Sequence, residues 1–428
     1  MQLEHTWLPD SLPDNNTSLH IKSCSGSYLI LEDGRKIYDG ISSWWCKPLG
    51  HGHELIKNSI YQQLNLFEHH IPANAYNDGI EELSTLLVNI FTDMDRVMYA
   101  SDGSSAVEIA CKLSLEVRNI QGEVTRNKFI ALNRAYHGET IFTLSLCGIE
   151  GYKAPYKNIL LDNYFLEDIV YVNSRNDKLW HECNFDTVKW DKYFADLASS
   201  VTAFIIEPIV QGANGLKIIS RDFLCKIIML ARKYGIHIIS DEIMVGLGRL
   251  GCHSVSKEIL NFEPDLVCFG KNLTCGSIPM SAVVINKSIT EIFRAVHRSF
   301  PHSHTHSCNA LATSVAVNYL KFLQNTNFLS SVCTIEGKLL SMMERITAKF
   351  DFASNARAIG GIAACHLDLA SNILERIFIV GIEKGIYLRP IGQEFYIMPP
   401  LYNLENELAE IEVKIINVLA ELKFYDIT

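Results

Sequence analysis

The sequence predicts an α/β fold in which the strands of a mostly parallel sheet alternate with helices. Apolar runs at 203–206, 236–240 and 264–270 are typical of buried strands. Between the first two, the segment 221–235 repeats apolar residues at the helical period and closes on Gly235. This alternation indicates parallel βαβ units, in which ligands bind beyond the carboxyl ends of the strands.

The composition fits a large enzyme subunit. The chain has 428 residues, of which 48% are hydrophobic and 20% charged, so it can bury a large core in two or more lobes. A formal net charge of −10 argues against a nucleic-acid binder, which needs a basic face. The 12 scattered cysteines indicate reduced thiols in the cytoplasm. We expect no membrane segment, because the sequence has no long apolar run and no signal-peptide pattern.

Three ionisable residues follow the predicted strands directly. Glu207, Asp241 and Lys271 each come at the end of one apolar run, so we expect them to share one crevice. A partly desolvated lysine can lose its proton and form a Schiff base with a carbonyl. Pyridoxal phosphate supplies that carbonyl and needs a carboxylate beside its ring nitrogen, roles that suit Lys271 and Asp241. Each residue taken alone could be an ordinary surface charge.

A second region suits the phosphate of such a cofactor. The segment MYASDGSSAVEIACKLSLEVR predicts a strand, a turn and a helix, and Ser105 with Glu108 has capping-box spacing. This spacing places the helix start beside Gly103 and Ser104, where free N–H groups and the helix dipole favour an anion, although every capped helix looks similar. In RAYHGET, the ring of Tyr136 could cover a flat cofactor or could simply pack in a loop.

Eight motifs occur in an order that covers nearly the whole chain: DGISSWWCKPLGHGH, SDGSSAVEIACK, AYHGET, IIEPIVQGANG, SDEIMVGLGRLG, PDLVCFGKNLTCG, HSHTHSCNALA and LRPIGQEFYIMPPL. Through them the sequence resembles the class III aminotransferases of the fold-type I pyridoxal-phosphate family. Trp44, Trp45 and the segment from Arg389 to Tyr396 are similar to the members that act in biotin synthesis. The resemblance implies a homodimer with active sites at its interface. It also implies ping-pong amino transfer from S-adenosylmethionine to 8-amino-7-oxononanoate.

The same resemblance implies a role for each matching residue. Lys271 becomes the Schiff-base lysine and proton shuttle, Asp241 the partner of the pyridine nitrogen, and Tyr136 the ring that stacks on the cofactor; all three count as catalytic. The phosphate site is expected to comprise Gly103, Ser104, His304 and Thr305, with Thr305 coming from the other subunit. The substrate side is expected to comprise Trp44, Trp45, Tyr136, Lys271, Ser303, Arg389 and Tyr396. Arg389 receives the keto-acid carboxylate, which its guanidinium fork matches.

Three positions depart from the family pattern. The segment TWLPDS has Asp10 where the biotin enzymes usually carry a Tyr that contacts the amino donor, so donor use is expected to differ. Ser303, His304 and Thr305 stand where Gly-Pro-Thr is usual, which changes the backbone contacts at that edge. Glu139 replaces a frequent Asp and keeps its charge.

Two other functions remain open. An ω-aminotransferase acting on ornithine, 4-aminobutyrate or a diamine would share every cofactor residue, and Trp44 with Trp45 favours the biotin branch over it. The other is a catalytically silent cofactor-binding or dinucleotide-binding protein, and GLGRLG at 246–251 formally matches a dinucleotide loop. However, the strand before it ends at Asp241 and Glu242, ahead of the glycines, whereas a dinucleotide loop opens a helix directly after its strand.

We predict no metal site. HSHTHSC places His302, His304, His306 and Cys308 on alternate positions of an extended segment, but no second ligand pair lies near them in the sequence.

The sequence also predicts two domains. Residues 51–311 form the large domain with the sheet and the cofactor, and residues 1–50 with 312–428 form a smaller α+β domain. In the latter, GIYLRP and EFYIMPPL are predicted to be two strands joined by a turn.

Overall fold

The computed structural model describes residues 5–12 and 18–427. Its strands are, in chain order, β1 (Ile21–Ser25), β2 (Tyr28–Leu31), β3 (Lys36–Asp39), β4 (Met94–Ala100), β5 (Lys128–Leu132), β6 (Tyr164–Leu166), β7 (Tyr171–Val172), β8 (Val201–Ile206), β9 (Val210–Gln211), β10 (Lys217–Ile219), β11 (His237–Asp241), β12 (Leu266–Phe269), β13 (Ser281–Asn286), β14 (Ala353–Ile359), β15 (Ile362–Leu367), β16 (Ile386–Tyr387) and β17 (Glu394–Ile397).

The α-helical segments are α1 (Ser42–Trp45), α2 (Glu54–Leu64), α3 (Asp78–Val88), α4 (Gly103–Ile120), α5 (Ile141–Leu144), α6 (Glu150–Lys153), α7 (Lys178–His181), α8 (Thr187–Leu197), α9 (Arg221–Lys233), α10 (Lys287–Ala295), α11 (Ala310–Asn325), α12 (Phe328–Lys349), α13 (Ser371–Leu374), α14 (Arg376–Glu383) and α15 (Leu404–Ile427). Short 3₁₀ turns cover Ala154–Ile159 and Lys271–Thr274, and a π turn covers Ser256–Leu260.

The main sheet has seven strands in the order β4-β13-β12-β11-β8-β5-β6. Strand β13 runs antiparallel to both of its neighbours, and the other pairs are parallel. The residues of β8 and β12 are buried throughout, as expected when helices cover both faces of a parallel sheet. The predicted α/β fold with a mostly parallel sheet is therefore confirmed.

Helix α9 shows why the alternation could be recognised from the sequence. The side chain of Ser220 accepts a hydrogen bond from the backbone N–H of Phe223 and caps the first turn. The apolar stripe of this helix, Phe223, Leu224, Ile227, Ile228 and Ala231, is buried. Gly235 has a φ of 62°, a left-handed conformation that glycine adopts without steric cost, and the chain turns there into β11.

Besides a small sheet of β7, β10 and β9, the structure has two smaller sheets whose strands all lie outside residues 51–311. One has the order β1-β2-β3-β16 and so joins the N-terminal segment to the C-terminal third of the chain. The other has the order β14-β15-β17. Both agree with a small domain built from the two termini, whose boundaries at residues 51 and 311 stay a prediction.

The two strands predicted at the C-terminal end are both present, and a turn at Gly392 and Gln393 lies between them. An isolated bridge from Ile391 to Glu394 spans this turn. The strands do not pair with each other, since β16 pairs in parallel with β3 and β17 pairs antiparallel with β15. They therefore belong to different sheets.

The segment α1, between β3 and α2, is a left-handed turn, unlike the right-handed helices of the rest of the chain. Four consecutive residues, Ser42, Ser43, Trp44 and Trp45, have φ values of 49°, 46°, 73° and 71°. A left-handed conformation costs about 1–2 kcal/mol for each residue other than glycine. The surrounding structure must therefore hold this turn in place.

Hydrogen bonds from buried groups hold the turn. Asp39 is 1% exposed, and its carboxylate accepts from the Ser43 N–H at 3.0 Å and from the Ser43 hydroxyl at 2.7 Å. His51 Nε2 lies 2.9 Å from the same carboxylate. The Ser42 hydroxyl donates to the carbonyl of Met398 at 2.6 Å, which ties the turn to the chain just after β17.

Among the residues that the structure describes, no helix is long and apolar enough to cross a membrane.

Candidate active site

A cavity of about 370 Å³ lies beyond the carboxyl ends of β8, β11 and β12. Glu207, Asp241 and Lys271, the three strand-end residues that were predicted to converge, all line it. The geometry follows from the sheet, because β11 lies between β8 and β12 and runs parallel to both. Side chains at equivalent ends of adjacent parallel strands must project into the same crevice.

Asp241 is held by a histidine at the floor of this cavity. Its Oδ2 lies 2.8 Å from Nδ1 of His137, and its Oδ1 accepts from the N–H of Ile243 at 3.2 Å. Both Asp241 and His137 are buried. The other ring nitrogen of His137, Nε2, is buried without a hydrogen-bond partner among the described residues. This pair fixes the orientation of the Asp241 carboxylate toward the cavity.

Lys271 begins the 3₁₀ turn that follows β12. Its φ is 38°, a left-handed conformation that costs energy for a residue other than glycine. Its Nζ lies 5.2 Å from the centroid of the Trp45 ring. Burial lowers the pKa of the Lys271 ammonium, and the carboxylate of Asp241 partly offsets this effect. A larger fraction of the amine is therefore neutral than for a lysine in water, as a nucleophilic amine requires.

Glu207 braces the loop that carries Tyr136. Its two carboxylate oxygens accept from the N–H groups of Tyr136 and Gly212, at 3.0 and 2.9 Å. Burial raises the pKa of Glu207 to about 7, although these two hydrogen bonds and His137 oppose the rise. The Tyr136 side chain lines the cavity, and its hydroxyl donates to Glu139 at 2.8 Å. Glu207 thus positions Tyr136 through the backbone.

The start of α4 forms the opposite wall, and its cap differs from the prediction. The N-cap is Asp102, whose carboxylate accepts from the N–H of Ser105 at 2.9 Å and from its hydroxyl at 2.9 Å. Glu108 instead accepts from the hydroxyl of Thr140. The Ser105–Glu108 capping box was therefore wrong, because an aspartate three residues earlier competes for the same N–H. The helix still begins at Gly103, and Gly103 and Ser104 line the cavity.

Two buried aromatic side chains, Trp45 and Tyr396, contact each other near Lys271. Trp45 is buried, and its indole N–H donates to the hydroxyl of Tyr396 at 3.1 Å. The two rings meet edge to face, with centroids 6.0 Å apart. Of this pair, Trp45 is the one that lines the cavity itself. Both were predicted on the substrate side, and the structure places Trp45 at the cavity with Tyr396 supporting its indole from behind.

Arg389 and Trp44 lie farther out, at a second cavity of about 810 Å³ that we call the mouth. The mouth is lined by both of them together with Asp10 and Tyr387. The Arg389 guanidinium carbon lies 4.5 Å from the centroid of the Trp44 ring. Arg389 also forms an ion pair with Asp10. The structure therefore joins the predicted carboxylate-binding residue to the residue that was expected to affect the donor.

The segment from His302 to Cys308 lies apart from the cavity. Ser303, His304 and Thr305 do not line the cavity of this chain. His302 Nε2 lies 2.8 Å from His304 Nε2, and Lys112 Nζ lies 3.0 Å from His302 Nδ1. In the described part of the chain, no group of three or more His, Cys, Asp or Glu side chains could hold a metal ion.

The GLGRLG segment forms successive turns and does not open a helix. Its Arg249 is fully buried and donates from Nη1 to the carbonyl of Pro399 at 2.8 Å and from Nη2 to Ser42 Oγ at 3.3 Å. These turns carry the buried Arg249, whose bond to Ser42 supports the left-handed turn at Ser42–Trp45.

The family of the protein follows from its likeness to known sequences. A model of the family described as "Aminotransferase class-III" matches residues 11–419. The chain belongs to the class III aminotransferases. A relative from Synechococcus elongatus, an adenosylmethionine-8-amino-7-oxononanoate aminotransferase, is 32% identical over 98% of this chain and 99% of its own length. The enzyme of the same name from Helicobacter pylori is 29% identical over 99% of this chain and 98% of its own.

Solved structures agree with this class III aminotransferase fold. The adenosylmethionine-8-amino-7-oxononanoate aminotransferase of Methanocaldococcus jannaschii superposes with a TM-score of 0.88 at 25% identity, covering 97% of each chain. An amine transaminase from an uncultivated Pseudomonas species, solved with pyridoxal phosphate bound, has a TM-score of 0.90 at 24% identity and covers 98% of this chain and 99% of that one. Both chains share the fold-type I architecture with this protein.

Membership of the family implies pyridoxal phosphate as the cofactor, and the cavity fits it. A Cβ atom on Gly138 would lie 2.2 Å from Ser104 Oγ, so only a glycine lets this loop approach the start of α4 so closely. The free N–H groups at that start suit a phosphate. Asp241 offers a buried carboxylate and Lys271 an amine of lowered pKa, which are the groups that the ring nitrogen and the carbonyl need.

Sequence reasoning missed His137 and Asp39. The signal for His137 was its place beside Tyr136 in the AYHGET motif, but its contact with Asp241 joins residues 104 positions apart. Asp39 ends β3, and only the tertiary fold shows that it holds the turn of Trp44 and Trp45.

Proposed function

We propose that this class III aminotransferase transfers an amino group from S-adenosylmethionine to 8-amino-7-oxononanoate in biotin synthesis. The observation that carries the proposal is that Lys271 lies against the ring of Trp45, while the preceding residue in the chain, Trp44, packs against the guanidinium of Arg389. A long aliphatic keto acid needs apolar walls and one charge-paired end, and a guanidinium fork matches its carboxylate. The names of the relatives from Synechococcus elongatus and Helicobacter pylori support this substrate.

Pyridoxal phosphate, when bound, supplies a carbonyl for covalent attachment of the amine and a ring that accepts electrons when the Cα–H bond breaks. Lys271 Nζ, made more neutral by burial, holds the cofactor and then accepts and returns the substrate proton. Asp241 stabilises a positive charge on the ring nitrogen, and His137 holds that carboxylate in position. Tyr136, which lines the cavity on a loop that Glu207 braces, would pack against the ring of the cofactor.

The remaining assignments follow from position. Gly103 and Ser104 bind the phosphate at the start of α4, where backbone N–H groups are free. Trp45, supported by Tyr396, would contact the alkyl chain of the keto acid, and Arg389 would bind its carboxylate. Ser303, His304 and Thr305 do not line the cavity of their own chain, which is compatible with the family pattern in which Thr305 reaches the phosphate in the other subunit.

We infer that the enzyme is a homodimer. Apolar side chains are exposed along one stretch of the surface: Tyr61 is 66% exposed, Leu66 74%, Ile71 69% and Tyr76 79%. A cluster of large exposed apolar side chains marks an interaction surface, and a second copy is the occupant that completes the phosphate site. The exposed Thr305 is then available to the neighbouring active site.

We place the enzyme in the cytoplasm. All twelve cysteines lie among the described residues and are free thiols, and seven of them are buried. Chains rich in unpaired cysteines are typical of reducing compartments. Its partners are then its small-molecule substrates and its second subunit.

A second candidate is an ω-aminotransferase that acts on ornithine, 4-aminobutyrate or a diamine. It is favoured by Asp10, whose exposed carboxylate at the mouth could bind the distal ammonium group of such a substrate.

A donor and acceptor screen with the purified holoenzyme tests both candidates. We expect 7,8-diaminononanoate to form from 8-amino-7-oxononanoate with S-adenosylmethionine as donor, detected by mass spectrometry. Parallel reactions would contain ornithine, 4-aminobutyrate or a diamine as donor and 2-oxoglutarate as acceptor. Faster turnover in these reactions, together with no product from the oxononanoate, would favour the second candidate and overturn the first.

A further inference from the structure

We propose that Asp10 is an internal competitor for the carboxylate site, whose side chain occupies the Arg389 guanidinium until a substrate carboxylate displaces it. Asp10 would thereby determine how strongly the mouth selects substrates that carry a carboxylate. This inference rests on the proposed role of Arg389 as the residue that binds the keto-acid carboxylate.

The contact between the two residues has the chemistry of the proposed substrate contact. Arg389 Nη2 donates to Asp10 Oδ2. Among the described residues, Asp10 is the acidic residue that forms an ion pair with Arg389. A carboxylate of the protein thus sits where the carboxylate of the substrate would bind. The face of the Arg389 guanidinium meanwhile rests on Trp44, at 4.5 Å from the ring centroid, which leaves its edge for a carboxylate.

Asp10 reaches Arg389 because the N-terminal segment forms a compact turn. The Ser11 hydroxyl donates to the carbonyl of Leu8 at 2.8 Å, and the indole N–H of Trp7 donates to the carbonyl of Ser11 at 2.7 Å. Asp10 has a φ of 54°, which an aspartate tolerates better than most residues. The turn places the Asp10 carboxylate beside Arg389, which lies 379 positions later in the sequence, just after β16.

The pair is electrostatically connected to the reactive cavity. The rings of Tyr136 and Tyr152 lie 5.8 Å apart, and Tyr136 lines that cavity. Burial raises the pKa of Tyr152, Asp10 raises it further, and Arg389 lowers it. One aromatic side chain therefore separates the Asp10–Arg389 pair from Tyr136.

The exposure of the pair decides how strong the competition can be. The side chains of Arg389 and Asp10 are 31% and 68% exposed, so solvent weakens their attraction. Exposed ion pairs change an equilibrium constant by about fivefold or less. The contact is thus strong enough to discriminate between ligands and weak enough for a substrate carboxylate to replace it. If a ligand binds only when Arg389 is free, its apparent association constant equals the intrinsic constant multiplied by the fraction of protein in which Arg389 is free.

Nonanoate, an unreactive nine-carbon carboxylate, is the probe for this competition. Its dissociation constant from the holoenzyme would be measured by isothermal titration calorimetry, with 1-nonanol as the uncharged counterpart. We expect Asp10→Asn to bind nonanoate about three- to fivefold more tightly than the unmodified enzyme, since removing the competitor frees the guanidinium. Binding of 1-nonanol should not change.

Glu375→Gln is the matched control, because Glu375 lines the mouth and lies outside the Arg389 ion pair. Its affinity for nonanoate should equal that of the unmodified enzyme. Equal tightening in Glu375→Gln and Asp10→Asn would mean that general charge repulsion is responsible, and would overturn the proposal. Unchanged affinity in Asp10→Asn, or absence of nonanoate binding in every variant, would overturn it as well.

A further variant separates this inference from the proposed function. In an Arg389→Ala background, Asp10→Asn should have no effect on nonanoate, because the competed group is gone. These measurements require no amino transfer. If the oxononanoate is not a substrate but nonanoate responds to Asp10 as expected, the proposed function fails and the competition stands. If the oxononanoate is aminated and nonanoate does not respond, the competition fails alone.

Discussion

The floor of the reactive cavity and its mouth are built in different ways. At the floor, Asp241 and Lys271 follow two paired strands of one sheet, and His137 contacts Asp241 in a buried environment. At the mouth, Asp10 and Arg389 are partly exposed and come from opposite ends of the chain. The floor is thus positioned by a continuous hydrogen-bonded sheet, whereas the mouth depends on how separate segments pack.

This difference indicates where the chemistry and the selectivity of the enzyme reside. Buried charges at the floor interact strongly because little water screens them. The exposed pair at the mouth is screened, so each of its interactions contributes less. Mutations at the floor should therefore affect every substrate by large factors, whereas mutations at the mouth should affect particular substrates by smaller ones.

Lys271→Ala should give the largest effect, because it removes the amine that the floor presents to the cofactor. We expect loss of covalent cofactor attachment and of measurable turnover with every substrate. Attachment would be fixed with borohydride and located by mass spectrometry of the peptides. Lys287→Ala serves as control, since its ammonium lies on the surface. A borohydride-fixed adduct that persists in Lys271→Ala would contradict the assignment.

Asp241→Asn should reduce turnover by about two to three orders of magnitude while the cofactor still binds, since the ring nitrogen loses the charge that stabilises it. Both half-reactions should slow equally, because the floor serves both. Rapid-mixing measurements of each half-reaction, together with cofactor content, check this. Near-normal turnover, or slowing of only one half-reaction, would contradict the role.

The floor could be predicted from the sequence because its residues are tied to local patterns. Apolar runs predicted β11 and β12, and the residues that follow parallel strands must share one edge. His137 escaped prediction because its partner Asp241 is distant in sequence. The cap of α4 was wrong by three residues because Asp102 and Ser105 are both good capping residues. Which of them caps depends on how the turn after β4 packs.

The mouth could be predicted as a set of residues but not as a contact. Trp44 and Arg389 were found by resemblance, yet nothing local in the sequence indicated that Asp10 would meet Arg389. The strand β16 was predicted, but its partner was not, since β16 pairs with β3 at the other end of the chain. A two-residue strand carries little pattern of its own, so distant packing decides its partner.

Arg389→Ala tests the mouth directly. We expect the specificity constant for the oxononanoate to fall about 30-fold, the lower end of the range for a lost charge pair, because the guanidinium is 31% exposed. The half-reaction with S-adenosylmethionine should change far less. Arg389→Lys should show an intermediate loss, since it keeps the charge without the fork. Single-turnover measurements of the two half-reactions check this, and equal damage to both would show that Arg389 supports the fold.

Asp39→Asn should give a smaller effect that connects the two regions. Asp39 is 1% exposed and accepts from the N–H and hydroxyl of Ser43, so it stabilises the left-handed turn that places Trp45 at the cavity and Trp44 beside Arg389. Replacing one carboxylate oxygen by an amide removes a charge-assisted acceptor and costs about 1.5–3 kcal/mol of stability. With weaker hydrogen bonds the turn becomes more mobile, and the side chains of both tryptophans are then held less firmly in position.

We expect a lower melting temperature and a KM for the oxononanoate that rises about three- to tenfold. This rise corresponds to a loss of roughly 1 kcal/mol in binding free energy, caused by the displaced tryptophans. The kcat and the half-reaction with S-adenosylmethionine should stay within about twofold, because the paired strands β11 and β12 position Asp241 and Lys271, and Lys271 meets the turn only through the ring of Trp45. Asp33→Asn is the matched control, since Asp33 bonds Arg35 on the exposed side of the same sheet. A fall in kcat that matches the rise in KM would mean that Asp39 holds the whole site together, and the division between floor and mouth would then be wrong.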